Sequence, residues 1–374
     1  MFIMTDLFQQ FQRGQFRSLC IFLVFISGIL TSCSNEIEGK VFEEDKAYNL
    51  EIPTYFPALG FDTDKNPVTV NGVALGKKLF YEGKLSRNNT ISCGFCHIQE
   101  YAFTHHGHPV SHGIDDKLGM RNAPAIQNMA WLKNYTWDGV SHNLDERSLV
   151  PITTDFEMDS SIPEVISKLS ADANYKKMFK SAFGDENING ERILKALSQF
   201  MVTMVSADSK YDQVKNGKAS FTTEESQGKT LFENKCASCH SGELFTDESY
   251  RNTGMYYNSQ YDDRGRYRVT LDWNDHMKFR VPSLRNVELT APYMHDGRFY
   301  SLEAVLNFYS DNVENQPNLD PIFKQNNHIG IAMSSLEKQY IIAFLKTLTD
   351  QNFINNKKFA ARVDACRLHD NQES

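Results

Sequence analysis

Two five-residue strings, Cys93-Gly-Phe-Cys96-His97 and Cys236-Ala-Ser-Cys239-His240, constrain this chain more than any other feature. Each sets two thiols at i and i+3 with an imidazole next in line. On one helical turn the two thiols share a side. They can then bond the vinyl groups of one porphyrin while the imidazole lies under its iron, so C-x-x-C-H reads as a covalent haem attachment site. A dithiol redox pair needs only one C-x-x-C, and no βαβ pattern surrounds either copy. Zinc-ribbon knuckles lie about 15–20 residues apart, far closer than these two pairs. The expectation is two covalently bound haem c groups, one on Cys93, Cys96 and His97, the other on Cys236, Cys239 and His240.

The remaining three of the seven cysteines are Cys20, Cys33 and Cys366. Arg13 and Arg17 precede an apolar run, Leu19 to Leu30, of roughly twelve residues, short for a membrane span and right for a signal-peptide core. The run ends in Leu30-Thr31-Ser32-Cys33, which resembles a bacterial lipobox whose Cys becomes the lipidated first residue. A plain secretory signal is the alternative. Asn35 to Asp45 then reads as a polar, acidic tether. The expected location is periplasmic, anchored to the cell envelope, with the lipid as the sole membrane contact. Cys366 reads as an inert thiol near the C-terminus. The formal charge of −8 disfavours nucleic acid and suits a basic patch on a protein partner.

The chain also repeats itself around the two motifs. Gly76-Lys77-Lys78-Leu79-Phe80 precedes the first and Gly228-Lys229-Thr230-Leu231-Phe232 the second. Arg121-Asn122, Asp138-Gly139 and Leu144 follow the first; Arg285-Asn286, Asp296-Gly297 and Leu302 follow the second. Glu191 to Ser206 and Leu336 to Leu348 carry apolar residues at helical spacing. Thr222 with Glu225, and Ser334 with Glu337, read as capping boxes. The expected fold is all-α: two cytochrome c-like haem domains arranged as an internal duplication, with long loops. The boundaries are 1–33 for the signal with its lipobox, 34–65 for the tether, 66–215 and 216–350 for the haem domains, and 351–374 for a C-terminal tail.

The repeat separates the two irons. Seven residues past Leu302 stands Tyr309; seven past Leu144 stands Pro151. Tyr can ligate iron through its phenolate, and Pro has no side-chain donor. One haem would then be closed on both faces and suited to electron transfer, the other open and suited to chemistry. Tyr309 as a packed aromatic is the alternative, with Met294 and Met333 as other sixth ligands.

Over roughly residues 70–350 the sequence resembles the bacterial di-haem cytochrome c peroxidases, including the related methylamine-utilisation di-haem enzyme. The resemblance runs through Leu75 to Phe80, Leu85-Ser86, both C-x-x-C-H strings, Arg121-Asn122-Ala123-Pro124, Trp137-Asp138-Gly139, Pro151, Glu157-Met158, Val281 to Asn286 and Ala291 to Gly297. It implies roles. Trp137 matches the Trp between the haems, and Glu157 the carboxylate that handles peroxide protons. Asn122, Thr290 and Pro292 match the positions that hold a calcium ion, the last two through backbone carbonyls, a ligation suited to a hard cation. Tyr309 falls where the peroxidases place Met and the methylamine-related enzyme places Tyr. The loop His that caps the peroxidatic iron of the peroxidases corresponds to Ile114, with His105, His106, His108 and His112 close by. The distal Gln corresponds to Arg147, which could donate to bound peroxide or form an ion pair with Glu146 or Glu157.

The implied function is reduction of hydrogen peroxide to water with electrons from a small external donor, a cytochrome c or a cupredoxin, passed from the C-terminal to the N-terminal haem. Oxidation of a protein substrate through a Tyr-ligated haem is a second reading. A non-catalytic electron-transfer cytochrome is a third. The resemblance also suggests a homodimer.

Overall fold

The structure, a computed structural model, describes residues 45–325 and 327–361. The signal, the lipobox Cys33, the start of the tether and Cys366 lie outside the described residues. Thirteen helices occur among the described residues: α1 (Val70–Phe80), α2 (Cys93–Cys96), α3 (Leu144–Arg147), α4 (Leu149–Thr153), α5 (Ile162–Ser170), α6 (Ala173–Phe183), α7 (Gly190–Val202), α8 (Lys210–Lys215), α9 (Thr223–Lys235), α10 (Tyr267–Thr270), α11 (Leu302–Asp311), α12 (Ser335–Lys346) and α13 (Gln351–Ile354). Four two-residue strands pair antiparallel, β1 (Tyr250–Arg251) with β2 (Phe279–Arg280) and β3 (Lys324–Gln325) with β4 (His328–Ile329). The helix-rich expectation holds. No described helix is long and apolar enough to cross a membrane.

Two helix crossings organise the cores. Helix α1 buries Leu75, Gly76, Leu79 and Phe80 against α7, which buries Ile193, Ala196, Leu197 and Phe200. The axes approach so closely that a Cβ on Gly76 would stand 1.8 Å from the Ala196 carbonyl oxygen. Helix α9 meets α12 in the same manner: a Cβ on Gly228 would stand 1.9 Å from the Tyr340 carbonyl oxygen. Only glycine permits such contact between backbones. Both expected capping boxes are formed, Thr222 with Glu225 at the start of α9 and Ser334 with Glu337 at the start of α12. The first core gathers around α1 and α7; the second holds Phe232, Leu306, Ile341, Phe344, Leu345 and Leu348.

Segments expected to be peripheral join the first core. Phe56 and Phe61, assigned to the tether, are buried in it. So are Phe353, Ile354 and Phe359, assigned to the tail. The Tyr81 hydroxyl donates to the Phe359 carbonyl at 2.7 Å, and Gln99 Nε2 to the Asn356 carbonyl at 2.9 Å. The sequence signal was weak because these apolar residues are isolated and carry no helical period.

A buried polar network lies behind the second core. Arg285, fully buried, donates from Nη1 and Nη2 to the two Asp212 oxygens, both at 2.9 Å, and from Nε to the Glu243 carbonyl at 2.7 Å. Asn286 donates to Ser206 Oγ at 2.9 Å and accepts from the Asp350 amide at 2.7 Å. One Arg-Asn pair thus ties together segments at 206, 212 and 350. Satisfied on nearly every side, it fixes their register.

Candidate haem-binding and catalytic site

Each C-x-x-C-H string folds as one tight turn. In the first, α2 spans Cys93–Cys96 and the His97 amide closes on the Cys93 carbonyl at 2.9 Å. In the second, the His240 amide closes on the Cys236 carbonyl at 3.0 Å. All four cysteines are free and half-buried. Burial pushes the thiols of Cys93, Cys96 and Cys236 up to about 12, so they stand as neutral thiols.

Each His is oriented from behind. His97 Nδ1 lies 2.7 Å from the Phe103 carbonyl and His240 Nδ1 lies 3.2 Å from the Phe245 carbonyl. A carbonyl accepts only from N–H, so the proton sits on Nδ1 and Nε2 keeps its lone pair for a metal. Burial lowers His97 to about 4 and also lowers His240, which keeps both imidazoles in the neutral, ligating form.

A cavity opens beside each turn, about 240 Å³ at His240 and about 420 Å³ at His97. The walls are mainly apolar with a few arginines: Arg251 and Arg280 in one, Arg121, Arg147, Arg268 and Arg280 in the other. A flat hydrophobic ring with carboxylates on its edge fits this lining, and the two thiols and free Nε2 below each cavity complete the donor set for haem c.

The upper walls differ. The His97 cavity brings together Trp137, Arg147, Pro151 and Glu157. The Glu157 carboxylate makes no hydrogen bond or ion pair among the described residues; burial raises its pKa, and the Arg147 charge offsets part of that rise. Arg147 forms no ion pair with Glu146 or Glu157, and donates through Nε to the Tyr135 carbonyl at 3.3 Å. Ile114 is fully buried in the first core, and its amide donates to the Glu157 carbonyl at 2.7 Å. Of the four nearby histidines, His112 reaches the cavity wall.

The His240 cavity is lined by Tyr309 and Met294, with the phenol oxygen 4.0 Å from the Met294 sulfur. Burial raises the Tyr309 pKa well above the ordinary phenol value, and the neighbouring Cys239 and Cys236 thiols add to this. The side chain is therefore a neutral phenol unless a cation claims its oxygen. Met333 packs against the second core and does not line the cavity.

Trp137 lines both cavities, and its Nε1 donates to the Asn122 carbonyl at 2.9 Å. Asn122 also lines both; its Nδ2 donates to the His108 and Pro109 carbonyls, each at 3.1 Å, and its Oδ1 meets no protein donor among the described residues. Thr290 and Pro292 line the His240 cavity beside it.

Two residues went unassigned from sequence. Arg280, buried on β2, lines both cavities, and its amide donates to the Trp137 carbonyl at 2.7 Å. His295 is buried, stacks on Phe279 with ring centroids 3.7 Å apart, and leaves Nδ1 unpartnered. His295 lies inside the quoted Ala291–Gly297 string and Arg280 directly before the Val281 string, so proximity to those strings was the available signal.

Comparison with known proteins agrees with this geometry. Residues 70–220 match the family model described as di-haem cytochrome c peroxidase. The chain is 34% identical over 293 residues to the methylamine utilization protein MauG of Methylorubrum extorquens, covering 76% of this chain and 79% of that protein. It is 34% identical over 289 residues to the cytochrome c551 peroxidase of Nitrosomonas europaea, covering 76% and 81%. Among solved structures, a MauG-like protein associated with microbial copper homeostasis superposes with a TM-score of 0.76 at 34% identity, covering 84% of this chain and 99% of that one. The diheme peroxidase BthA from Burkholderia thailandensis shares the fold, with a TM-score of 0.68 at 22% identity over 86% and 96% of the two chains.

Proposed function

Because the chain belongs to the di-haem cytochrome c peroxidase family, we propose that it is an oxidoreductase that reduces hydrogen peroxide to water in the His97 cavity. A small donor protein, a cytochrome c or a cupredoxin, supplies the electrons on the His240 side. The observation that carries this reading is the unpaired, half-buried Glu157 carboxyl sharing a cavity with Arg147 and with a proline where the other cavity has Tyr309. Haem c held by His97 and by His240 would supply a metal for peroxide and storage for electrons.

The overall change is hydrogen peroxide plus two electrons and two protons to two waters. Glu157 accepts a proton from one peroxide oxygen and returns it to the other, a general acid–base role. Its raised pKa suits a group that must both take and give a proton. Arg147, free of ion pairing, donates hydrogen bonds to the oxygen that gains negative charge. Trp137 fills the wall shared by the two cavities, held by the Asn122 carbonyl.

The same reading extends to the rest of the architecture. The matched crossings at Gly76 and Gly228 support an internal duplication into haem domains at 66–215 and 216–350. The free Asn122 Oδ1 beside Thr290 and Pro292 supports a calcium site. Export to the periplasm, a lipid on Cys33 and a homodimer belong to the proposal as well.

Tyr309 favours a second reading, oxidation of a protein residue. A phenolate ligand favours ferric iron more than a thioether does, and would lower the potential on the His240 side. The test is steady-state peroxide consumption with a reduced small cytochrome. Turnover that falls by about 10²–10⁴ in Glu157→Gln, the usual worth of a positioned acid–base group, supports the peroxidase. A modified protein residue without turnover supports the second reading. Two low-spin haems that ignore peroxide would leave only electron transfer.

A further inference from the structure

Beside the His97 cavity, whose wall His112 reaches, one cluster of metal-ligating side chains stands out among the described residues. His105, His108 and His112 each offer a ring nitrogen, and these three atoms lie within 4.8 Å of one another. The ring centroids are 4.4 Å apart for His105 and His108, 4.8 Å for His105 and His112, and 4.4 Å for His108 and His112. None of the three rings makes a hydrogen bond among the described residues, and His105 Nδ1 is buried with no partner. His105 is 3% exposed, so that orphaned nitrogen is costly unless something outside the protein satisfies it. His108 is exposed, which leaves an entry path from solvent. Phe95, the second variable residue of the first haem string, flanks the cluster, with its ring 5.9 Å from His105 and 5.3 Å from His112.

We infer that His105, His108 and His112 form a site for one divalent first-row transition ion, with copper(II) favoured over zinc(II). Three imidazoles with no carboxylate suit these two ions and not calcium or magnesium. Metal–nitrogen bonds of about 2.0–2.1 Å in a tetrahedral set put the nitrogens roughly 3.3 Å apart, so small side-chain rotations close the site around the ion. A fourth position stays open to water. The loop that carries the ligands is already braced, since the His108 and Pro109 carbonyls accept from Asn122 Nδ2. The rings can therefore converge without recruiting new backbone.

His106 provides an internal control. It sits beside the cluster in sequence, but its ring stacks on Tyr101 at 3.7 Å. The experiment titrates the full-length holoprotein with zinc(II) in competition with a chromophoric chelator, then repeats the titration with copper(II). The expected result is one ion per chain, copper binding the tighter. His108→Ala should weaken binding by more than about 10-fold, the scale set even by outer-shell partners, while His106→Ala changes nothing. His112→Ala should match His108→Ala. Equal zinc binding by wild type and His108→Ala overturns the site. So does a loss of binding in His106→Ala as large as that in His108→Ala.

Discussion

Asp212→Asn isolates what holds the C-terminal part of the molecule in register. Arg285 and Asp212 are fully buried and meet in a two-pronged contact at 2.9 Å on each arm. Asp212 also accepts from the Tyr55 hydroxyl at 2.9 Å, the Ser209 amide at 2.9 Å and the Ser209 hydroxyl at 2.7 Å. Removing its charge leaves the guanidinium one neutral amide oxygen in place of the carboxylate, an NH2 group facing its other arm, the Glu243 carbonyl and the ring faces of Phe56 and Phe245, at 4.8 and 5.9 Å. Breaking one side of a buried pair costs about 3–5 kcal/mol. At roughly 2 °C per kcal/mol, the low end expected for a chain of this size, Tm should drop by about 6–10 °C. Replacing both partners, Asp212→Leu with Arg285→Met, should lose much less than the two single changes together, since no charge is then stranded. Thermal melts of the holoprotein followed by circular dichroism measure both. The sign with pH is also fixed. Burial alone would raise the Asp212 pKa, but hydrogen bonds and charge from Arg285 outweigh it, and the folded value falls below the ordinary one. The pair's contribution is then complete above the unfolded aspartate value of about 3.9 and fades as pH falls through the lower folded value. The variant should lack that acid-side loss. A Tm drop under about 2 °C would refute the whole argument, because it would mean that the guanidinium finds water or another partner.

Other expectations follow from the same geometry. Gly228→Ala adds a Cβ 1.9 Å from the Tyr340 carbonyl oxygen, so α9 and α12 must part; overpacking of about 1–3 kcal/mol exceeds the ~1 kcal/mol gained in helix propensity, and a melt should show net loss. Arg147→Met should cut kcat/KM for peroxide by about 10²–10³, as for a lost charge-stabilising donor. It also removes the cation that holds the Glu157 pKa down. Turnover requires the carboxylate, so the acid limb of its pH profile should move to higher pH. Tyr309→Phe should alter the absorption and spin-state spectrum of the oxidised protein while leaving the His97 side unchanged; an identical spectrum removes the phenolate from the ligand set.

The legible part of the molecule was the part built from local rules. C-x-x-C-H needs only five consecutive residues, and both copies fold as the turns that string demands. Capping boxes are equally local, and those at Thr222 and Ser334 formed as read. Glu157, Trp137 and Pro151 converge on one cavity although scattered along the chain; the family resemblance pointed to the first two, and the internal repeat had already singled out Pro151. Met333 shows the limit: its residue type allowed ligation, but its side chain serves the second core. Arg147 was open between catalysis and an ion pair because the choice depends on a distance, and among the described residues no carboxylate pairs with it. The burial of Phe56 and Phe359 was invisible for a related reason. Each meets the first core through contacts remote in sequence, and a single apolar residue carries no period.

The two cavities share one lower face and differ on the upper, and physical cause separates these halves. Beneath, each imidazole must present Nε2 upward, and the simplest device is a backbone carbonyl a few residues on, Phe103 for His97 and Phe245 for His240. Any residue supplies a backbone carbonyl, so that device tolerates wide change of side chain. Above, chemistry depends on which side chain stands at one position. Tyr309 brings an oxygen to its cavity, 4.0 Å from a Met294 sulfur, whereas Pro151 brings no side-chain donor to the cavity that it lines with Arg147 and Glu157. A single exchange, proline against tyrosine, is therefore the difference in side-chain donors that divides the two upper walls, and the proposed split into an electron-accepting side and a reacting side rests on it. Trp137 and Arg280, the wall common to both, are where any such division must be bridged.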